Sequence, residues 1–187
     1  MKDDRAEFEE QARRDAIALG ENEALNRDGL HLLREAGKHR YTYLWSWLGV
    51  PIIQVPSDVM AMQEIIWETR PDIIVETGIA RGGSAIFLAS MLQLLGRGTV
   101  VGVDIDIRAH NRDSIESHPL GHRVRLIEGS STDPDILAQV KAMIEPGAKV
   151  MVILDSDHSY AHVKNELAAY APLVTEGQFL IVADTGL

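Results

Sequence analysis

The chain has 187 residues, enough for one α/β domain with a full core and too few for two ordinary ones. Its 18 Lys and Arg stand against 28 Asp and Glu, a formal net charge of −10, which argues against a nucleic-acid partner because neutralising phosphates needs a concentrated basic surface. Hydrophobic content of 45% is ordinary for a globular protein, and the absence of cysteine excludes disulfides, thiolate metal sites and a cysteine nucleophile.

The N-terminal run MKDDRAEFEEQARRD is highly charged, unlike a signal peptide, and no later apolar run is long enough to span a bilayer. A cytoplasmic protein with no membrane partner is the expectation. From Asp3 to Ala36, charges alternate with Ala, Leu and Ile at loose helical spacing, broken near Gly20 and Gly29. This predicts two or three helices outside the main sheet, with residues 1–40 a helical extension to a domain over 41–187. Tyr41 to Trp47 then gather two Tyr and two Trp, either an aromatic plug at one end of the core or a wall of a substrate pocket. Gln54 to Asp58 turn the chain into a helix from Val59 to Thr69, with Met60, Ile65, Ile66 and Trp67 on its apolar side.

Asp72-Ile73-Ile74-Val75 reads as a buried parallel strand, followed by Glu76, a glycine-rich turn and a helix from Ser84 to Leu95. Such a turn brings backbone N–H groups at a helix N-terminus close to a ligand. Glu76, Gly78 and Gly82-Gly83 form E-x-G-x-x-x-G-G, which lacks the middle glycine that makes room for a pyrophosphate. It resembles motif I of the class I S-adenosylmethionine-dependent methyltransferases, whose cofactor carries no phosphates.

Thr99 to Asp106 is a second strand ending in acids. Asp104 lies about 28 residues after Glu76, a separation that suits an acid accepting hydrogen bonds from a ribose diol, while Asp106 is the expected cap of a helix over Ala109 to Glu116. Arg123 to Glu128 alternates as a strand near a sheet edge does, then runs into Gly129-Ser130-Ser131-Thr132-Asp133, small polar residues that fit beside an adenine and cap a helix from Pro134 to Ile144. Lys149 to Leu154 is the fourth strand, a helix from His162 to Tyr170 follows, and Phe179 to Ala183 is the fifth strand. Strand and helix in alternation predict a doubly wound, mostly parallel sheet with right-handed crossovers.

Ligands gather outside the carboxyl ends of strands in such a sheet. Glu76, Asp104, Asp155, Asp157 and Asp184 all follow strand ends. Asp155 with Asp184 can offer hard oxygen ligands to Mg²⁺ or another divalent cation, and His158 is the candidate general base. His162 reads as structural support.

Several stretches together resemble the cephalosporin hydroxylase family. They are Tyr41 to Gln54, Met62 to Trp67, Glu76 to Ser84, Gly102 to Arg108, Leu126 to Ser131 and Leu154 to His158. The resemblance implies a Rossmann-like fold and the cofactor site of a Mg-dependent class I O-methyltransferase. It implies that Glu76, Gly78, Ala80, Gly82 and Ser84 line the methionine side of S-adenosylmethionine, that Asp104 with Ile105 holds the ribose, and that Ser130 or Ser131 lies by the adenine, with Asp155 bordering the same site. It also implies Asp155 and Asp184 as metal ligands; Asp157 is the expected third, since Ala183 stands where some members carry an acid. The chain reaches Leu187 just after the fifth strand, so the expected sheet lacks the last two strands of such a fold.

The activity implied is metal-assisted methyl transfer to a hydroxyl of a small acceptor, a sugar or natural-product scaffold; a homo-oligomer is compatible with it. The alternatives are a non-haem iron hydroxylase built on His158, His162 and Asp155, and a non-catalytic nucleoside-binding or interaction module.

Overall fold

The computed structural model describes residues 3–184, which fall into two compact units dividing between Tyr41 and Thr42. The first unit holds α1 (Arg5–Gly20) and α2 (Glu23–Gly37). Asn22 separates them and caps α2, its side chain accepting from the backbone N–H of Leu25 at 3.0 Å. Gly29 does not break the chain but lies inside α2. A lone interior glycine costs about 1 kcal/mol relative to alanine, too little to end a helix whose neighbours are Leu, Arg and Glu.

The second unit opens on a hairpin absent from the sequence pattern. β1 (Trp45–Trp47) pairs antiparallel with β2 (Val50–Ile52) through Leu48 and Gly49, both at positive φ, the mirror-image turn whose twist suits a two-residue hairpin. The aromatic cluster is divided by this. Trp47 packs edge-on to Phe87 with ring centroids 5.0 Å apart and donates Nε1–H to Ser90 Oγ at 3.1 Å, while Tyr43 and Trp45 stay exposed. α3 (Pro56–Thr69) starts at Pro56 rather than Val59, because proline's fixed φ suits the first helical position. Its inward side is Val59, Met62, Ile65 and Ile66. Met60 and Trp67, expected there, are exposed because the helical period turns them outward.

Five parallel strands form the sheet: β3 (Ile73–Thr77), β4 (Thr99–Asp104), β5 (Val124–Glu128), β6 (Val150–Leu154) and β7 (Leu180–Val182), in the order β5-β4-β3-β6-β7. Four helices alternate with them: α4 (Gly83–Leu94), α5 (Ala109–Glu116), α6 (Pro134–Ala142) and α7 (Tyr160–Tyr170). Every residue of β3 and β6 is buried, as near-continuous apolar runs require when both sheet faces are covered. Alternation along the strands builds one core per face. Ile74, Val100, Met151 and Ile153 pack with Ile86 and Leu88 of α4 on one; Val75, Val101, Val152 and Leu154 pack with Val140 and Tyr170 on the other.

The parallel, doubly wound arrangement is the one the strand-helix alternation predicts. Asp133 caps α6 as expected, accepting from the N–H of Asp135 at 2.8 Å. Asp106 does not cap α5. That helix starts after Arg108 without a side-chain cap, and the Asp106 carboxylate meets Arg108 Nε at 3.3 Å instead. Among the described residues, no helix is long and apolar enough to cross a membrane. The chain runs outward from β3 to β5 and returns to β6, so the strand order reverses between β3 and β6, and a crevice is expected at their carboxyl ends.

Candidate active site

β3 delivers Glu76 and Thr77 to that carboxyl edge of the sheet, both buried and facing opposite sides. The turn that follows is held open by backbone geometry: Gly78, Ala80 and Gly82 all have positive φ. At Gly78 a Cβ would run into the backbone carbonyl of Asp155 and the Cα of Ser156 at the tip of β6. Only a glycine lets the two strand tips meet. Gly78→Ala should therefore cost about 2–4 kcal/mol, combining the left-handed backbone penalty with overpacking against main chain; a thermal melt matching wild type would refute this.

Asp104 at the tip of β4 holds the turn from outside. Its Oδ2 accepts from the N–H groups of Ile79 and Ala80, both at 3.0 Å, and its Oδ1 accepts from Asp106 N–H at 3.1 Å. Asn111 of α5 adds a bond from Nδ2 to the Ala80 carbonyl at 3.0 Å. Asp104 thus shapes the glycine turn through its main-chain contacts. Ile105 beside it is 73% exposed.

Glu76 is 2% exposed, and its Oε2 has no hydrogen-bond partner among the described residues. Burial pushes its carboxyl up to about 8, the Ser84 hydroxyl opposes this, and the charges of Asp155 and Asp104 push the same way as burial. A buried acceptor left without a partner is costly, and a ligand with N–H or O–H donors would remove that cost. The turn and this orphaned oxygen fit the amino-acid or sugar end of a nucleoside cofactor.

A second group lies at the tip of β6. One ligand atom each from Asp155, His158 and Asp184 come within 4.8 Å of one another, and His158 Nε2 stands 3.2 Å from Asp184 Oδ2. Gln54 donates Nε2–H to Asp155 Oδ2 at 2.8 Å. Burial, then the nearby Asp184, push the Asp155 carboxyl up to about 7 against the opposing effects of His158 and Gln54. Two carboxylates and an imidazole fit a divalent cation.

Asp157 is not in this group. Its Oδ1 accepts from Ser159 N–H at 2.7 Å, which holds the carboxylate low and ties the loop before α7. His162 is not in it either, being turned toward Ser131, Ser156 and Glu166, so among the described residues the group has one histidine and the two-histidine iron site is not assembled. Ser130 Oγ pairs with Thr132 Oγ1 at 3.0 Å, and Ser131 faces the His162 ring.

Gln54, Thr77, Asn111, Ser156 and Glu166 were missed as site residues. Gln54 had a signal, a polar residue bracketed by apolar Ile52-Ile53 and Val55; so did Glu166, one helical turn beyond His162. Asn111, in a polar helix, had none.

The sequence model of the family described as "Rhamnosyl O-methyltransferase/CmcI" matches residues 39–187. The rhamnosyl O-methyltransferase of Mycobacterium leprae (strain TN) is 34% identical over 157 residues, covering 80% of this chain and 66% of that protein. The one from Mycobacterium bovis (strain BCG / Pasteur 1173P2) is 32% identical over 163 residues, covering 80% and 62%. The chain thus spans 62–66% of these curated relatives' own lengths. Among solved structures, CmcI with SAH is similar at a TM-score of 0.56 and 22% identity, over 75% of this chain and 66% of that one. CmcI with Mg-SAM is similar at 0.56 and 23%, over 76% and 58%. These likenesses show a Rossmann-like methyltransferase fold. The matched residues contain the whole five-stranded sheet and both acidic groups, so the chain belongs to the rhamnosyl O-methyltransferase/CmcI family.

Proposed function

We propose that the chain carries out metal-assisted methyl transfer from S-adenosylmethionine to a hydroxyl of a small acceptor. The buried, unpartnered Oε2 of Glu76 beside the glycine turn carries this reading, since a ligand bearing N–H or O–H donors, as the methionine and ribose end of that cofactor does, would satisfy it. Residues 41–187 would form the cofactor-binding domain, with the helices before them an extension. The relatives' name makes a rhamnosyl hydroxyl the first acceptor to test.

The roles follow from position. Glu76 accepts from the donors of the methionine and ribose end, Gly78 and Ala80 bring main chain against it, and Asp104 holds that main chain through Oδ2 while Oδ1, which takes a single N–H, keeps a lone pair for a ribose hydroxyl. Asp155 and Asp184 would hold the cation, with Gln54 orienting Asp155. A cation there supplies Lewis acidity to the acceptor hydroxyl, and S-adenosylmethionine supplies the electrophilic methyl. His158, half-exposed beside Asp184, takes the hydroxyl proton, and the fixed strand tips align the two reactants.

Calorimetry with S-adenosylmethionine, followed by labelled-methyl transfer to rhamnosides with Mg²⁺ or with EDTA, tests this. Binding with cation-dependent transfer is expected. No cofactor binding would overturn the proposal; binding without transfer to any hydroxylated acceptor would favour a nucleoside-binding module, and iron-dependent oxygen uptake an oxygenase.

A further inference from the structure

α7 places His162, Glu166 and Tyr170 at intervals of one helical turn, so they share one face, turned toward the tip of β6 and the loop after β5. Glu166 and Tyr170 are fully buried there, Glu166 at 1% exposure. Three oxygens converge on a single ring nitrogen: Ser156 Oγ at 3.1 Å, Ser131 Oγ at 3.2 Å and Glu166 Oε1 at 3.4 Å from His162 Nε2.

The proton positions follow from counting donors. Ser156 Oγ donates its one hydrogen to Glu166 Oε1 at 2.8 Å, so toward the histidine it can only accept. Nε2 therefore carries hydrogen. Ser131 Oγ, facing the same N–H, must accept as well, and its own proton is left for a partner outside the network. Its main chain is clamped too, because the Tyr170 hydroxyl donates to the Ser131 carbonyl at 2.9 Å. The arrangement is not a nucleophile triad, which needs the acid on the opposite ring nitrogen from the serine.

Ser131 follows β5 at the carboxyl edge of the sheet, where a ligand lies in such folds. We propose that His162, held by Glu166 and Ser156, is a positioning residue that frees the Ser131 hydroxyl proton to meet a ring-nitrogen acceptor of the ligand's nucleobase. This rests on the reading of the crevice as a nucleoside site. A hydroxyl fixed as donor selects for an unprotonated ring nitrogen, because replacing that nitrogen by C–H leaves the donor buried without a partner.

The test is calorimetry with S-adenosylhomocysteine and its 1-deaza, 3-deaza and 7-deaza analogues. Wild type should bind one of the three at least about tenfold more weakly than the parent and the others within threefold. Ser131→Ala and His162→Leu should each bind all four ligands within threefold of one another, the second although it keeps the serine. His162→Gln, which retains an N–H donor, should restore the discrimination. These are ratios within one variant, so a general loss of stability does not produce them, and if His162→Leu does not fold, Ser131→Ala and His162→Gln still decide the matter. Should wild type bind S-adenosylhomocysteine but treat the three analogues alike, or should His162→Leu keep the preference, this inference fails and the cofactor assignment stands. Failure of wild type to bind S-adenosylhomocysteine removes both.

Discussion

Glu76→Gln should weaken S-adenosylmethionine binding by about 100-fold or more, yet make the ligand-free fold more stable above pH 8. The two effects have one cause. Burial raises the Glu76 carboxyl from 4.5 to about 8, so the fold prefers the protonated form and the unfolded chain the ionised one. Below pH 4.5 both states are protonated and nothing is lost. Between 4.5 and about 8 the folded chain retains a proton that the unfolded chain has released, so stability falls as pH rises; above 8 the penalty is complete and constant. Glutamine has no such slope. Asp155, raised to about 7, adds a slope of the same sign that ends earlier, so the interval from pH 7 to 8 isolates Glu76. The cofactor acts in the opposite sense. Its donors favour the carboxylate, each charge-assisted bond contributing about 1.5–3 kcal/mol, and two such bonds account for the affinity loss. Binding to wild type below pH 8 should release a proton, visible as a dependence of the calorimetric heat on buffer ionisation enthalpy, and affinity should rise with pH until about 8. The variant should show neither. Equal affinities for wild type and Glu76→Gln at pH 7.5 would remove Glu76 from the cofactor site and, with it, the main support for the proposed function.

The sheet was legible in the sequence because its signal is local. β3, β4 and β6 are continuous apolar runs ending in acids, and each boundary is marked by glycine, proline or a polar cluster, so strand and helix could be read without knowing what packs on what. The hairpin β1–β2 was hidden because three-residue strands carry too little periodicity, and the Leu48-Gly49 turn lacks the Asn-Gly or Asp-Gly that would announce it. The same division runs through the site. Glu76, Asp104, Asp155 and Asp184 stood out as candidates because they sit at strand ends, a position that fold class alone makes meaningful. What each acid touches was not legible. Asp104 spends both oxygens on backbone N–H groups, Asp157 ties a loop, and His158 comes to Asp184 across two loops, all decided by tertiary approach. The N-terminal helices show the limit from the other side: an amphipathic pattern predicts helix correctly, but Gly29 reads as a break only until its neighbours' propensity is counted.

Asp155→Asn should lower the affinity for Mg²⁺ or Mn²⁺ by about 100-fold or more while leaving S-adenosylmethionine binding in the absence of metal within a few-fold of wild type. Asp155 is the inner member of its group, half-buried where Asp184 and His158 are exposed, and it is the one oriented by a hydrogen bond, from Gln54. Losing its charge removes one of the two carboxylates offered to a cation, whereas the Asp155 atoms that meet Gly78 are main chain, which Asn shares, so the glycine turn keeps its shape. Burial and the Asp184 charge hold the Asp155 carboxyl near 7, and a cation must displace that proton; apparent cation affinity should fall about tenfold per pH unit below 7 and level off above it. Gln54→Ala removes a bond that favours the ionised form, so the falling limb should move to higher pH without a change in the plateau charge. Without metal the sign of the stability change is reversed: Asp155→Asn relieves repulsion with Asp184 and Glu76 and should raise the thermal midpoint at pH 8, where the wild-type carboxylate is ionised. Manganese titration followed by electron paramagnetic resonance reads the affinities directly, independent of any acceptor. If Asp155→Asn binds the cation as wild type does, the metal does not lie on this strand tip; if instead it loses the cofactor together with the cation, the two acidic groups form one indivisible site and their separate roles are wrong.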